Sequence, residues 1–196
     1  MVLVALDVAA HDTPTGSRVG GRAPECLGGG SDLLDRYDYL LTLGADAAPW
    51  SGGREVSVLL RKGFTIADND VEYPGIGVEA VLHPPSPRGQ DVRGVHSGLG
   101  SAALVEVRDG VEAVVFVRIA DTPALIQGDP SYAAAVEADG YRFLFQIDDD
   151  GLPHGDHPAG EFLFGDYPFG YGAVYFYGAL DEHGHAVTVV PGFLDF

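Results

Sequence analysis

The sequence predicts an α+β fold, mostly antiparallel β with two short helices, built by internal duplication of a strand-helix-strand-strand unit. Three observations carry this expectation. The apolar segments are short, and they alternate or run in β-branched and aromatic residues, as strands do. Glycine (28) and proline (13) interrupt the 196 residues too often for long helices, yet without the fixed period of a low-complexity chain. Finally, Asp35 to Leu43 lies over Asp139 to Ile147 at a constant offset of 104. The same offset joins Asp46 to Asp150 and Pro49 to Pro153, while Asp12-Thr13-Pro14 matches Asp121-Thr122-Pro123 at an offset of 109. The chain therefore reads as one domain over residues 1–196, with a pseudo-repeat of 1–98 and 99–196.

The elements follow in order. A Val-rich strand precedes each Asp-Thr-Pro turn. Ser31 caps a one- or two-turn helix running to Asp35, and Val56 to Leu60 is a strand. Residues 83–100, rich in Pro, Gly, Ser and Arg, mark the linker between halves. Residues 103–107 and 111–117 are expected to form a hairpin around Arg108-Asp109-Gly110, because Asp-Gly tolerates the positive φ of such turns. Asp129 is a natural N-cap, Pro130 suits the first helical position, and Gly140 supplies the left-handed stop. Tyr141 to Ile147 is apolar on both faces and reads as a central strand. Residues 173–177 and 185–190 form a second hairpin across Asp181-Glu182-His183-Gly184.

Charge narrows the function classes. Eleven Lys and Arg against 29 Asp and Glu give −18. Phosphate backbones and anionic membrane surfaces are recognised by clustered cations, so neither nucleic acid nor membrane is an expected partner. The imbalance is uneven: residues 1–98 hold 13 acids and 8 bases, and residues 99–196 hold 16 acids and 3 bases. After Arg142 nine carboxylates remain and no Lys or Arg. The single cysteine, Cys26, forbids an internal disulfide, and the first residues lack a basic, cleavable leader, which together point to the cytoplasm.

Several segments resemble the YwqG-like family of bacterial proteins. They are Ile126-Gln127-Gly128-Asp129-Pro130, Tyr141-Arg142-Phe143-Leu144-Phe145-Gln146-Ile147-Asp148, Phe164-Gly165-Asp166 and Gly172-Ala173-Val174-Tyr175-Phe176. Ser17 to Pro24 resembles the family's Gly-Gly-x-Pro loop with one extra residue, and Thr42-Leu43-Gly44 replaces the Gln-Ile-Asp triplet in the first half. The resemblance implies a duplicated α+β unit, no established enzymatic activity, and an immunity or partner-binding role.

The residues themselves offer three chemistries. Gln146 sits within an apolar strand, where its amide needs partners; backbone of a neighbouring loop is one reading, and ligand recognition with Asp148 the other. Asp148-Asp149-Asp150-Gly151 has the composition of a calcium loop, but an EF-hand frame would start at Gln146 and end at His157, so it fails. His154 and His157 with Glu161 are ligand types at loop spacing, although Pro153, Gly155, Pro158 and Gly160 keep them off a helix. No cofactor is expected, and no nucleophile with its base is visible: Cys26 lacks a local His, and no Gly-x-Ser-x-Gly occurs.

The sequence thus predicts a non-enzymatic protein-binding module for a basic partner such as a toxin. Asp148, Asp149, Asp150 and Asp156 would steer that partner, and Tyr167, Phe169 and Tyr171 would anchor it. The alternative is a small-molecule or metal-binding protein or enzyme with a site near Gln146, Asp148, His154 and His157.

Overall fold

The computed structural model describes residues 4–13, 15–30, 32–68, 70–107, 115–152 and 162–196. Ten strands form one sheet: β1 (Val4–Val8), β2 (Arg18–Val19), β3 (Tyr37–Leu43), β4 (Glu55–Arg61), β5 (Val78–His83), β6 (Ala102–Glu106), β7 (Val117–Ile119), β8 (Arg142–Asp148), β9 (Ala173–Leu180) and β10 (Ala186–Asp195). Three short helices accompany them: α1 (Glu25–Gly28), α2 (Leu33–Arg36) and α3 (Ala134–Ala138). The fold is the expected one, mostly antiparallel β, with α1 as one helix more than predicted. None of the helices among the described residues is long and apolar enough to cross a membrane.

The strand order is β10-β9-β8-β7-β1-β6-β2-β3-β4-β5, and every adjacent pair is antiparallel. Replacing each of β1–β5 by the strand five places on, and the reverse, reads the order backwards. The register obeys the same rule. Leu6 pairs Glu106 and Val8 pairs Leu104, with Asp7 opposite Val105 at the centre. Arg18 pairs Thr42 as Arg118 pairs Gln146. Register shifts fall between Tyr39 and Leu41 on β3 and between Phe143 and Phe145 on β8, the offset of 104 again. Bulges bend a strand and increase its twist, so matched bulges curl both flanks of the sheet alike.

Two expectations are corrected here. The strands at 102–106 and 117–119 do not pair with each other, because β1 lies between them and pairs with both. The proposed turn, 108–110, lies outside the described residues. The Asp12-Thr13 and Asp121-Thr122 turns follow β1 and β7, strands at different places in the symmetry, so the offset of 109 joins unlike positions. The segment 83–100 does connect β5 to β6, and it packs on the rest of the fold: Arg88 forms a two-pronged pair with Asp12 (2.5 and 2.6 Å), and Tyr39 N–H donates to the Gly94 carbonyl (2.7 Å). Ser31, the expected cap, lies outside the described residues, whereas Asp129 does cap, accepting from Ser131 N–H at 2.9 Å.

Curling brings the edge strands β5 and β10 together. Residues 71–73 run along β10, with Leu194 N–H donating to the Val71 carbonyl and Tyr73 N–H to the Gly192 carbonyl. The enclosed face holds the main core, including Leu41, Val58, Ile147 and Val174. Within it Phe145 stacks on Phe176 at 4.4 Å and on Trp50 at 5.7 Å. On the outer face Leu27 and Leu34 of α1 and α2 pack with Tyr39 and Leu59, while Val136 of α3 packs with Tyr175, Tyr177 and Phe193.

Phe145 is central to the enclosed core and fully buried, so Phe145→Ala is expected to cost about 3–5 kcal/mol in urea unfolding. Val187→Ala, on a side chain 58% exposed, should stay within about 0.5 kcal/mol of the parent. Equal midpoints for the two variants would contradict this packing.

Candidate functional site

The symmetric pairing creates two buried polar nodes on the outer face. In the second half, Gln146 on β8 is 2% exposed, and its amide meets both backbone groups of Ala124: Ala124 N–H donates to Oε1 at 2.8 Å, and Nε2 donates to the carbonyl at 3.2 Å. Tyr175 Oη donates to the same carbonyl at 2.8 Å. Asp195 accepts from the N–H groups of Ile126 (2.7 Å) and Gln127 (3.1 Å). Residues 124–127 are thereby tied to the sheet by side chains alone. The ring hydroxyl of Tyr175 is raised above its usual range, by desolvation first and then by the Asp195 charge.

The first-half node occupies the equivalent places with different residues. Thr42 stands where Gln146 does, Ser57 where Tyr175 does, and His83 where Asp195 does. A chain of 2.8 Å contacts runs from Tyr39 Oη to Thr42 Oγ1, to Ser57 Oγ, to His83 Nε2. The second half has Phe143, with no hydroxyl, where Tyr39 stands; the shorter Thr42 is met by the longer tyrosine. Burial pushes the His83 imidazole down and the Tyr39 phenol up to about 12. Ser57 has no exposed surface and His83 only 5%, so this Ser-His contact is closed to a substrate.

Beyond Gln146 the chain enters the acidic turn. Asp148 Oδ1 accepts from Asp150 N–H at 3.1 Å, opening a single 3₁₀ turn, Asp149–Gly151. Burial raises the Asp148 carboxyl, and it is partly exposed, while Asp150 faces solvent. Asp149 departs from expectation: it has no exposed surface, so it cannot steer a partner. Its Oδ2 accepts from Phe169 N–H, and its N–H donates to the Gly172 carbonyl at 3.0 Å. Its Oδ1 has no hydrogen-bond partner among the described residues. Desolvation, joined by the Asp148 and Asp150 charges, holds the Asp149 carboxyl well above the usual carboxylate range.

Asp149 thus pins the segment 167–172 from below. Phe169 is 1% exposed and belongs to the core, so it is not a surface anchor. Tyr171 is 66% exposed and packs against the half-buried Tyr167, ring centroids 4.4 Å apart. Its φ is +68°, the one positive value for a non-glycine among the described residues. Such a conformation costs on the order of 1–3 kcal/mol in a bulky residue and persists only where its surroundings impose it.

Sequence reasoning missed the apolar neighbours. Phe196 (47%) and Ile126 (48%) are exposed. Phe196 comes within contact of Gly172, and Gln127 Nε2 donates to the Phe196 carbonyl, which places Ile126 and Phe196 beside Tyr171. Only the tertiary approach of β10 to residues 124–127 gathers them. Asp156, His154, His157 and Glu161 lie outside the described residues, and among the described residues no three His, Cys, Asp or Glu side chains group to hold a metal ion. Comparison with family models, with curated proteins and with solved structures finds no match to this chain.

The folded chain holds the Asp149 proton more tightly than the unfolded chain does. Its stabilising share is therefore complete below the ordinary value of 3.8 and is lost as pH rises through the raised folded value. The unfolding free energy of the parent, relative to Asp149→Asn, should fall as pH is raised above the ordinary value of 3.8 in urea titrations at fixed ionic strength. A flat or rising difference would contradict the burial of an uncompensated carboxyl.

Proposed function

We propose that this chain is a non-enzymatic, cytoplasmic protein-binding module that docks a basic protein through the face around Tyr171. The carrying observation is the display of Tyr171 itself. A fully buried carboxylate holds its loop in a conformation bulky residues avoid, and the ring it presents is two-thirds exposed. Rigid aromatic rings make good anchors because little side-chain freedom is lost when they are buried.

Charge supports the same reading. Among the described residues, the ion pairs of Lys and Arg with carboxylates join residues 12–93: Arg88 with Asp12, Arg93 with Asp35 and Asp91, Lys62 with Asp38, Arg61 with Asp70, and Arg36 with Asp32. Five of the eight cations of the first half are therefore paired with carboxylates of the same half. Asp150 and Asp166 are exposed near the tyrosines and have no such counterion. A cationic surface is drawn to this face, and the rings then set how long it stays. Steering is assigned to Asp148, Asp150 and Asp166, and anchoring to Tyr167 and Tyr171 with Phe196. An immunity-type role, implied by the YwqG-like resemblance, would use both properties, since a toxin must be captured quickly and held.

The test is affinity capture of the partner from the source cells, followed by binding kinetics on the purified pair. Asp150→Asn with Asp166→Asn should slow association about tenfold at low salt and leave dissociation nearly unchanged. Tyr171→Ala should speed dissociation roughly thirtyfold, the counterpart of about 2 kcal/mol for an interface anchor. A partner whose association ignores both ionic strength and the two aspartates, and whose dissociation ignores Tyr171, would overturn the reading.

A further inference from the structure

The seam where β5 meets β10 holds a cleft of about 340 Å³, within the range of small-ligand sites. It is lined by Tyr37 and Arg61 of the β3–β4 pair, by Glu79 of β5, by Tyr73 and the residues after it, and by Val190 and Pro191 of β10. Alternation places Tyr37, Arg61 and Glu79 on one face of the sheet: Tyr37 pairs Arg61, and Leu59 pairs Glu79. The cleft shares no lining residue with the docking face around Tyr171.

Its charges are unequally satisfied. Arg61, diagonal to Glu79 across β4 and β5, turns instead to Asp70. Arg36, the cation acting on Glu79, pairs with Asp32 at 3.3 Å and lies over the Tyr37 ring at 5.6 Å. The Tyr73 hydroxyl donates to Asp139 at 2.7 Å, which fixes that ring at the cleft. Glu79 is left half-buried, with no hydrogen bond or ion pair among the described residues. The cleft around it is lined by the Tyr37 and Tyr73 rings, Pro74 and Pro191, aliphatic side chains, and the guanidinium of Arg61, which is committed to Asp70.

A partly desolvated carboxylate beside aromatic faces is the complement of a cation on an apolar stem. We infer that the β5–β10 cleft binds an organic cation, an alkylammonium or guanidinium group, with Glu79 as its counterion and Tyr37 and Tyr73 against its stem. Burial already raises the Glu79 carboxyl above its usual range. A bound cation would relieve that cost and compete with the proton, so affinity rises with pH through the Glu79 titration.

The probe is n-butylammonium chloride titrated into the ¹⁵N-labelled protein. Saturable amide shifts are expected at residues 76–79 and 189–190, with a dissociation constant in the millimolar range (about 4 kcal/mol of binding free energy at 1 mM). n-Butanol, the neutral counterpart, should bind at least about tenfold more weakly, and Glu79→Gln should weaken the ammonium by a similar factor. N-acetyl-lysine methylamide separates the two sources of such a group. Tighter binding than butylammonium assigns the cleft to a polypeptide side chain; weaker binding assigns it to a free amine. Should Glu79→Gln change the protein's own spectrum, the pH dependence of the parent decides, because binding must strengthen as pH rises above the ordinary glutamate value of 4.5. Equal binding of butanol, a pH-independent constant, or shifts confined to residues outside the cleft would overturn the assignment.

Discussion

The antiparallel pairing of β1 with β6 is the constraint on which the rest of this structure depends. Each of these strands opens one half of the chain, and each is handed to the other half: β1 lies against β7, and β6 against β2. With Asp7 opposite Val105 at the centre, the register on one side dictates the register on the other. A slip of one residue would turn every inward side chain outward, and Leu6, Val8 and Leu104 would leave the common core. The two halves therefore form one sheet, with a core in which residues of both, such as Trp50 and Phe145, stack face to face.

The same pairing explains the polar nodes. Each flank places a polar side chain on the third strand of its set, Thr42 or Gln146, where it would be buried without water. A buried donor or acceptor must find a partner, and the flanks solve the problem differently. Gln146 is long enough to take a loop's backbone into its amide, while Thr42 is short and is met by Tyr39 and Ser57. The second solution seals a closed network of hydroxyls. The first holds a loop, residues 124–127, beside the strand that ends in Phe196. The displayed aromatic face is thus downstream of one amide and one buried carboxylate.

The strands read at 56–60, 141–147, 173–177 and 185–190 were visible in the sequence, because alternation and β-branched or aromatic runs report strand character directly. The helix capped by Asp129, the hairpin turn at 181–184 and the repeat offset of 104 between β3 and β8 were visible for the same local reasons. The hairpin assigned to residues 103–117 failed because adjacency in sequence favours pairing only when no other strand competes, and β1 competes. Asp149 and Phe169 were misplaced because three consecutive aspartates and an aromatic run carry no mark of which member turns inward. Phe196 and Ile126 were not recognised as neighbours because they are far apart along the chain.

By itself, then, the sequence determined that the chain would fold as an antiparallel, turn-rich α+β unit, and that its acidity would be concentrated and uncompensated after Arg142. Those properties are local or additive: propensity, capping and charge are counted residue by residue. Only the tertiary structure decided that β1 separates β6 from β7, that Asp149 is enclosed while Asp150 faces water, and that β5 and β10 meet around Glu79. These are outcomes of non-local closure. Burial and partner choice depend on which distant segments the curled sheet brings together, and no window of sequence contains that information.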